Sequence, residues 1–175
     1  MIFGLFRRDP HRPVIAKLHG DIVTAARNPA LYRDYGVADT LDGRFELLIL
    51  HAGLLLRRLN AAAAPGPEWA QSLSDEVFAN LDAGLRETGV SDIGVPKKMK
   101  KLAEAFMGRL GAYEKTFGDE AALAAALARN VYADQGGDAP RLARYVRAAL
   151  TRLETFSPET LAVEPSPFPD PFAIA

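Results

Sequence analysis

FELLILHAGLLLRRL, residues 45–59, decides the fold. Phe45, Leu48, Ile49, Ala52, Leu55, Leu56 and Leu59 recur at the spacing of one helix face. Leu47, Leu50 and Leu54 occupy the remaining faces and leave little polar surface, the pattern of a helix surrounded by other elements. A bilayer-spanning helix needs roughly 18–20 uninterrupted apolar residues. This run is broken by Glu46, His51, Arg57 and Arg58, so it reads as the central helix of a packed core.

Working outward, nearly every segment between Gly/Pro/Asp clusters has helical period. Val14, Ile15, Leu18, Ile22, Val23 and Ala26 form one face of a first helix that stops near Asn28-Pro29, because proline disfavours helix at the residue before it. A third helix runs from about Glu68 to Thr88 through Trp69, Leu73, Val77, Phe78, Leu81 and Leu85, with Gly89 as its stop. Pro96 suits the first turn of a fourth, whose apolar stripe is Met99, Leu102, Ala103, Phe106, Leu110, Tyr113 and Phe117. A fifth is capped by Asp119, and a sixth runs from about Pro140 to Phe156. No stretch alternates with period two for long enough to make a strand. The expectation is an all-α fold, a compact single-domain bundle of about six helices over residues 13–157. An amphipathic tail (1–12) precedes it, and a Pro-rich tail (158–175), expected to be extended or disordered, follows.

Composition removes several classes of function. Net charge is -1, which argues against a surface built throughout for nucleic acid, so any basic function must be local. The absence of cysteine excludes thiol catalysis, disulfides and thiolate metal sites. His11, His19 and His51 have none of the spacings that hold a metal, and His51 reads as a helix histidine satisfied by its neighbours. No phosphate-binding glycine loop or nucleophile elbow is present. A non-enzymatic protein with no cofactor is expected. The start, MIFGLFRRDPHRP, has its apolar residues before its arginines, the reverse of a signal peptide, so the chain is expected to stay in the cytoplasm. Ile2, Phe3, Leu5 and Phe6 with Arg7 and Arg8 suit shallow insertion at the inner face of an anionic membrane, and suit equally a staple onto the domain.

One stretch breaks a local rule. Lys97, Lys98, Lys100 and Lys101 crowd the start of the fourth helix, where backbone N–H groups already carry partial positive charge. Cations there are unfavourable by about 0.3–1 kcal/mol each. Asp92 offsets part of this; the rest is left to solvent as a hydrated helix face, neutralised by carboxylates of the neighbouring helix (Asp75, Glu76, Asp82, Glu87), or met by an acidic or phosphate-bearing partner. Asp82 and Arg86 are four apart on the third helix, which suits a surface ion pair, and suits equally the polar rim of an apolar groove shared with Glu87 and Asp92.

Asp82, Leu85-Arg86-Glu87, Gly89, Asp92, Gly94-Val95-Pro96-Lys97-Lys98-Met99-Lys100, Phe106, Gly108-Arg109 and Tyr113 together resemble the signature of the ubiquinol-cytochrome c chaperone family. The resemblance covers roughly residues 30–155 and is most specific from Asp82 to Tyr113. It implies a helical assembly factor for the cytochrome bc1 complex (respiratory complex III), here in a short form of bacterial type. Mitochondrial members bind newly made cytochrome b with a smaller partner and associate with the ribosome and inner membrane. The implied partner-binding residues are Asp82, Arg86, Glu87, Asp92, Lys97, Lys98, Lys100, Lys101, Arg109 and Tyr113. The expected client is cytochrome b or another bc1 subunit, held by the basic surface with help from apolar residues at the mouth of the third and fourth helices. The other class carried forward is an RNA- or ribosome-associated helical module.

Overall fold

α3 (Leu41–Asn60) is the central element, with Leu47, Leu50, Leu54, Leu55 and Leu59 all sealed from solvent on successive faces. The computed structural model describes residues 11–87, 89 and 91–174. Around α3 pack α1 (Arg12–Ala26), α4 (Gly66–Glu87), α5 (Gly94–Glu114), α6 (Glu120–Val131) and α7 (Ala139–Glu154). These are the six long helices that the periodicity called for. Two short ones, α2 (Pro29–Arg33) and α8 (Pro158–Val163), and a 3₁₀ turn (Pro171–Ala173) complete the described chain, which contains no strand. The protein is all-α. Residues 1–10, and with them the amphipathic Ile2, Phe3, Leu5, Phe6, Arg7 and Arg8, lie outside the described residues. Among the described residues no helix is long and apolar enough to cross a membrane.

Local chemistry sets the helix ends. The Thr40 side chain accepts from Gly43 N, Asn28 from Ala30 N, Asp138 from Arg141 N and Ser157 from Thr160 N. Asp119 is the fullest cap: Oδ1 accepts from Ala121 N at 2.9 Å and Ala122 N at 3.0 Å. α6 has only 12 residues, of which Leu123, Ala126, Leu127 and Val131 are buried, so its capped end is a large share of what holds it. Asp119→Ala should cost about 1 kcal/mol of unfolding free energy, measured in urea; an unchanged midpoint would mean that tertiary packing alone holds α6.

The C-terminal segment differs from the extended or disordered tail expected of it. It straps across the domain. The Lys17 ammonium donates to Leu161 O at 2.8 Å and to Glu164 O, while pairing with Asp21 at 2.8 Å. The Tyr35 hydroxyl donates to Pro171 O at 2.8 Å, and Arg141 Nε donates to Ile174 O at 3.0 Å. Upstream, Arg58 closes the end of α7 by donating to Leu153 O and Phe156 O. Leu161, Pro167, Phe168 and Pro171 of the strap are buried. The physical reason is that prolines remove helical period without removing apolar area: a segment whose own N–H groups are few can still bury Phe and Pro, provided that side chains from the body satisfy its carbonyls.

One glycine fixes the seam between the α2 and α6–α7 connections. Gly137 sits at φ +75, and a Cβ there would lie 2.0 Å from the Tyr132 ring. That ring's hydroxyl donates to Tyr35 O at 2.9 Å, and Asp138 N donates to the same carbonyl at 2.9 Å.

Candidate partner-binding surface

α4 and α5 form a helical hairpin whose connecting tip lies far along from the core. On α4 the fully buried residues end at Val77; on α5 only Val95, Phe106 and Tyr113 are buried. Arg86 bolts the tip. Its Nε donates to Asp82 Oδ2 at 2.6 Å and its Nη1 to Asp92 Oδ1 at 2.6 Å, so one guanidinium ties the helix to the loop beyond it. The Asp82 carboxylate, with Asp92 beside it, holds the Arg86 guanidinium above its usual pKa. Gly89, at φ +80, turns the chain there, and Glu87 is exposed. Asp82, Arg86 and Asp92 are thus brought together as a fastening of the hairpin tip.

Asp92 is committed to Arg86 rather than to the lysines. Lys97, Lys98, Lys100 and Lys101 are all exposed in the first two turns of α5, which has no side-chain cap and no acid in its first turn. Lys100 has a loose pairing with Glu104 at 3.9 Å. Among the described residues, Lys97, Lys98 and Lys101 meet no carboxylate within 4.0 Å, and Asp75, Glu76, Asp82 and Glu87 of α4 do not reach them. Among the described residues, neutralisation by the neighbouring helix, one of the three expectations for this cluster, is not found; a solvated face and a partner site both fit. Beside the cluster, Ile93 is 92% exposed.

An open groove is found away from Asp82, Arg86, Glu87 and Asp92. It lies at the other end of the hairpin, as an open cleft of about 690 Å³ between α3, the start of α4 and the end of α5. Its walls include Gly53, Leu54, Phe106, Met107, Leu110 and Phe117. At its rim Arg57 pairs with Glu114 at 3.2 Å and lies over the Phe117 ring at 5.6 Å. Within the cleft α5 comes close to α3: a Cβ on Gly53 would lie within 2.2 Å of Leu110 Cδ2.

Tyr113 lies on the inner wall of this cleft, and Arg109, half-buried, lies one turn before it on α5. Arg109 forms a forked ion pair with Glu46, Nε to Oε2 at 3.0 Å and Nη2 to Oε1 at 2.6 Å. Glu46 is otherwise buried, with 9% of its side chain exposed. This hydrogen-bonded carboxylate raises the Arg109 pKa against the opposing effect of burial. Tyr113 is 2% exposed, and burial pushes its phenol up strongly. Its hydroxyl has no well-formed hydrogen bond, with Asn130 the side chain that approaches it. Both residues therefore set where α5 sits against α3. Glu46, Arg57, Glu114 and Gly53 were not singled out from the sequence: each lies in an otherwise ordinary helix pattern, and only the polar Glu46 inside the apolar 45–59 run offered a signal.

The model of the ubiquinol-cytochrome C chaperone family matches residues 33–168, a span that carries through the α4–α5 hairpin into the strap. The crystal structure of the Cbp3 homolog from Brucella abortus is similar at 38% identity and a TM-score of 0.85, over 94% of this chain and 93% of that one. No curated protein matches the chain. A match over most of its length, with a solved relative of the same fold, shows that this chain belongs to the ubiquinol-cytochrome C chaperone family.

Proposed function

We propose that this protein is an assembly chaperone for the cytochrome bc1 complex, acting from the cytoplasmic side and holding newly made cytochrome b through the basic face of α5. The observation that carries the reading is a cluster of exposed lysines, three of them without a carboxylate among the described residues, on a chain of this family. Four like charges in the first two turns of α5, spaced three and four apart, repel one another and weaken that helix. Their presence is explained if the compensating negative charge arrives with a partner. Lysine suits this role, since it presents a mobile point charge and requires no fixed bidentate geometry. Asp82, Arg86 and Asp92 hold the tip in place, Glu87 stands beside it, and Arg109 and Tyr113 position α5.

The test is a reduced-minus-oxidised absorption spectrum of membranes from cells lacking the gene. Selective loss of the b and c1 haem bands, with other cytochromes unchanged, is expected. The native gene should restore them, and a variant carrying Lys97→Glu, Lys98→Glu, Lys100→Glu and Lys101→Glu should not. Because Lys100→Glu sets a carboxylate four residues from Glu104, a circular dichroism melt matching the native chain's is required of this variant, so that its failure does not come from unfolding. An unchanged spectrum on deletion, in cells expressing bc1, would overturn the reading. Binding to RNA that falls steeply with salt, in place of a haem defect, would move the lysines to a ribosomal or RNA contact.

A further inference from the structure

Among the described residues, α5 and its N-cap carry two large apolar side chains that are mostly exposed, Ile93 at 92% and Met107 at 67%. With Lys100 and Gly111 they are spaced seven, seven and four apart, which places all four on one line along the helix. The line ends in the cleft, whose wall includes both Met107 and Gly111. It begins beside the lysines. At 1.5 Å per residue the distance from Ile93 to Gly111 is about 27 Å, close to the ~30 Å thickness of a bilayer's hydrocarbon core.

Gly108 and Gly111 add to this. Glycine is among the poorest residues for a helix interior, yet a Cβ at either position would meet nothing of the rest of the chain within 4 Å. Packing inside this protein therefore gives no reason for them. A second helix lying against α5 does, since small residues let two helix backbones approach closely. The occupant's charge is constrained as well. The cleft end offers the self-satisfied Arg57–Glu114 pair, and Glu104, one turn before Met107, loosely holds Lys100 at 3.9 Å, whereas toward the other end Lys97 meets no carboxylate among the described residues and leaves that end the more positive. A helix C-terminus, with unpaired carbonyls and an acidic flank, complements those lysines; a helix N-terminus repels them.

We infer that the line from Ile93 to Gly111, with the cleft at its end, cradles one hydrophobic client helix of membrane-spanning length, its C-terminal end toward Lys97 and Lys100. This rests on the chaperone reading and specifies which part of a client the protein shields. Apolar contact comes from Ile93, Met107 and the cleft walls, and orientation comes from the lysines.

The probe is a fluorescent 21-residue Leu/Ala helix in mild detergent, made with lysines at its N-terminal end and glutamates at its C-terminal end, and in a second version with the flanks exchanged. The full chain should bind the first version and bind the second several-fold more weakly at low salt, with the difference shrinking in high salt. Gly111→Phe, which puts a ring on the cleft wall, and Met107→Asp should each weaken binding at least tenfold. Gly20→Phe, at an exposed α1 glycine whose Cβ also meets nothing within 4 Å, should leave it unchanged. Circular dichroism melts keep the comparison to folded protein, and because Gly111 and Met107 fail in different ways, misfolding of one variant leaves the other decisive. Absence of peptide binding, or equal binding by the native chain and the folded cleft variants, overturns the inference. The chaperone reading stands or falls separately, on the haem spectrum of the deletion strain.

Discussion

Arg109→Ala should lower the unfolding free energy by about 3 kcal/mol, the low end of the range for stripping one partner from a buried ion pair. For a chain of this size that is a fall of roughly 6–12 °C in Tm. The cost lies mainly in what is left behind. Glu46 has 9% of its side chain exposed, and Arg109 donates to both of its oxygens, so removing the guanidinium leaves a carboxylate in an apolar wall with no donor in place. The low end applies because Arg109 itself is 30% exposed, so water can follow where the side chain has been. The reverse substitution, Glu46→Ala, should cost less, since the freed guanidinium can turn toward that solvent. Replacing both, as Glu46→Leu with Arg109→Met, should recover most of the loss, because two apolar side chains need no desolvation of charge. Urea melts of the four proteins decide this; a loss under about 0.5 kcal/mol for Arg109→Ala, the scale of an ordinary surface substitution, would mean the pair contributes nothing beyond surface charge. The pair also anchors α5, the helix that carries both the lysines and the outer cleft wall. Its loss should therefore weaken client binding even where the lysines are intact.

The helices were legible because each buries a stripe with an unbroken period. Phe45 to Leu59 could be read as central from its lack of a polar face, and Asp119 and Ser157 as caps from their residue types alone. The strap was not legible, because a period-based reading has no signal for a segment that buries Phe168 and Pro171 without being a long helix. Its partners are Lys17, Tyr35 and Arg141, all more than 30 residues away in sequence, and no local pattern relates them to it. At the site, the lysine cluster stood out because it violates a rule about helix ends. Arg109 looked like one more cation of that surface. Only the geometry separates it, since a carboxylate 63 residues away claims its fork. The cleft was hidden for a related reason: an apolar residue lining an open groove and one lining a closed core obey the same spacing, and nothing in the run marks Met107 and Leu110 as facing a groove where Leu55 and Leu59 of α3 face a sealed core.

His51 should make this fold lose stability between about pH 6.5 and pH 4, by about 3 kcal/mol in total. Its Nδ1 lies 2.7 Å from Leu47 O, and a carbonyl can only accept, so Nδ1 carries the proton and Nε2 accepts from the Tyr145 hydroxyl at 2.8 Å. The Phe168 ring stands edge-on at 5.0 Å, and Tyr145 packs on the other side. No carboxylate takes part in this arrangement, so burial pushes the imidazole down to about 4, against a smaller opposing effect of the Leu47 bond. In the unfolded chain the same ring titrates near 6.5. Above that pH neither state is protonated, and the full stability is present. As pH falls toward 4 the unfolded state takes up a proton that the folded state refuses, and stability drains away. His51→Leu should be less stable than the native chain by about 1–3 kcal/mol at pH 8, because the Tyr145 hydroxyl loses its acceptor. The same variant should be nearly indifferent to this part of the acid range, so the two stability curves converge or cross on the way to pH 4. Adding Tyr145→Phe removes the orphaned hydroxyl and should lift the variant at every pH without restoring the slope. Parallel curves for native chain and His51→Leu from pH 8 to pH 4 would show that the histidine is not held neutral. Because Phe168 belongs to the strap, any acid-driven opening of the domain should begin where the strap covers His51, and hydrogen exchange in residues 161–174 is the place to see it.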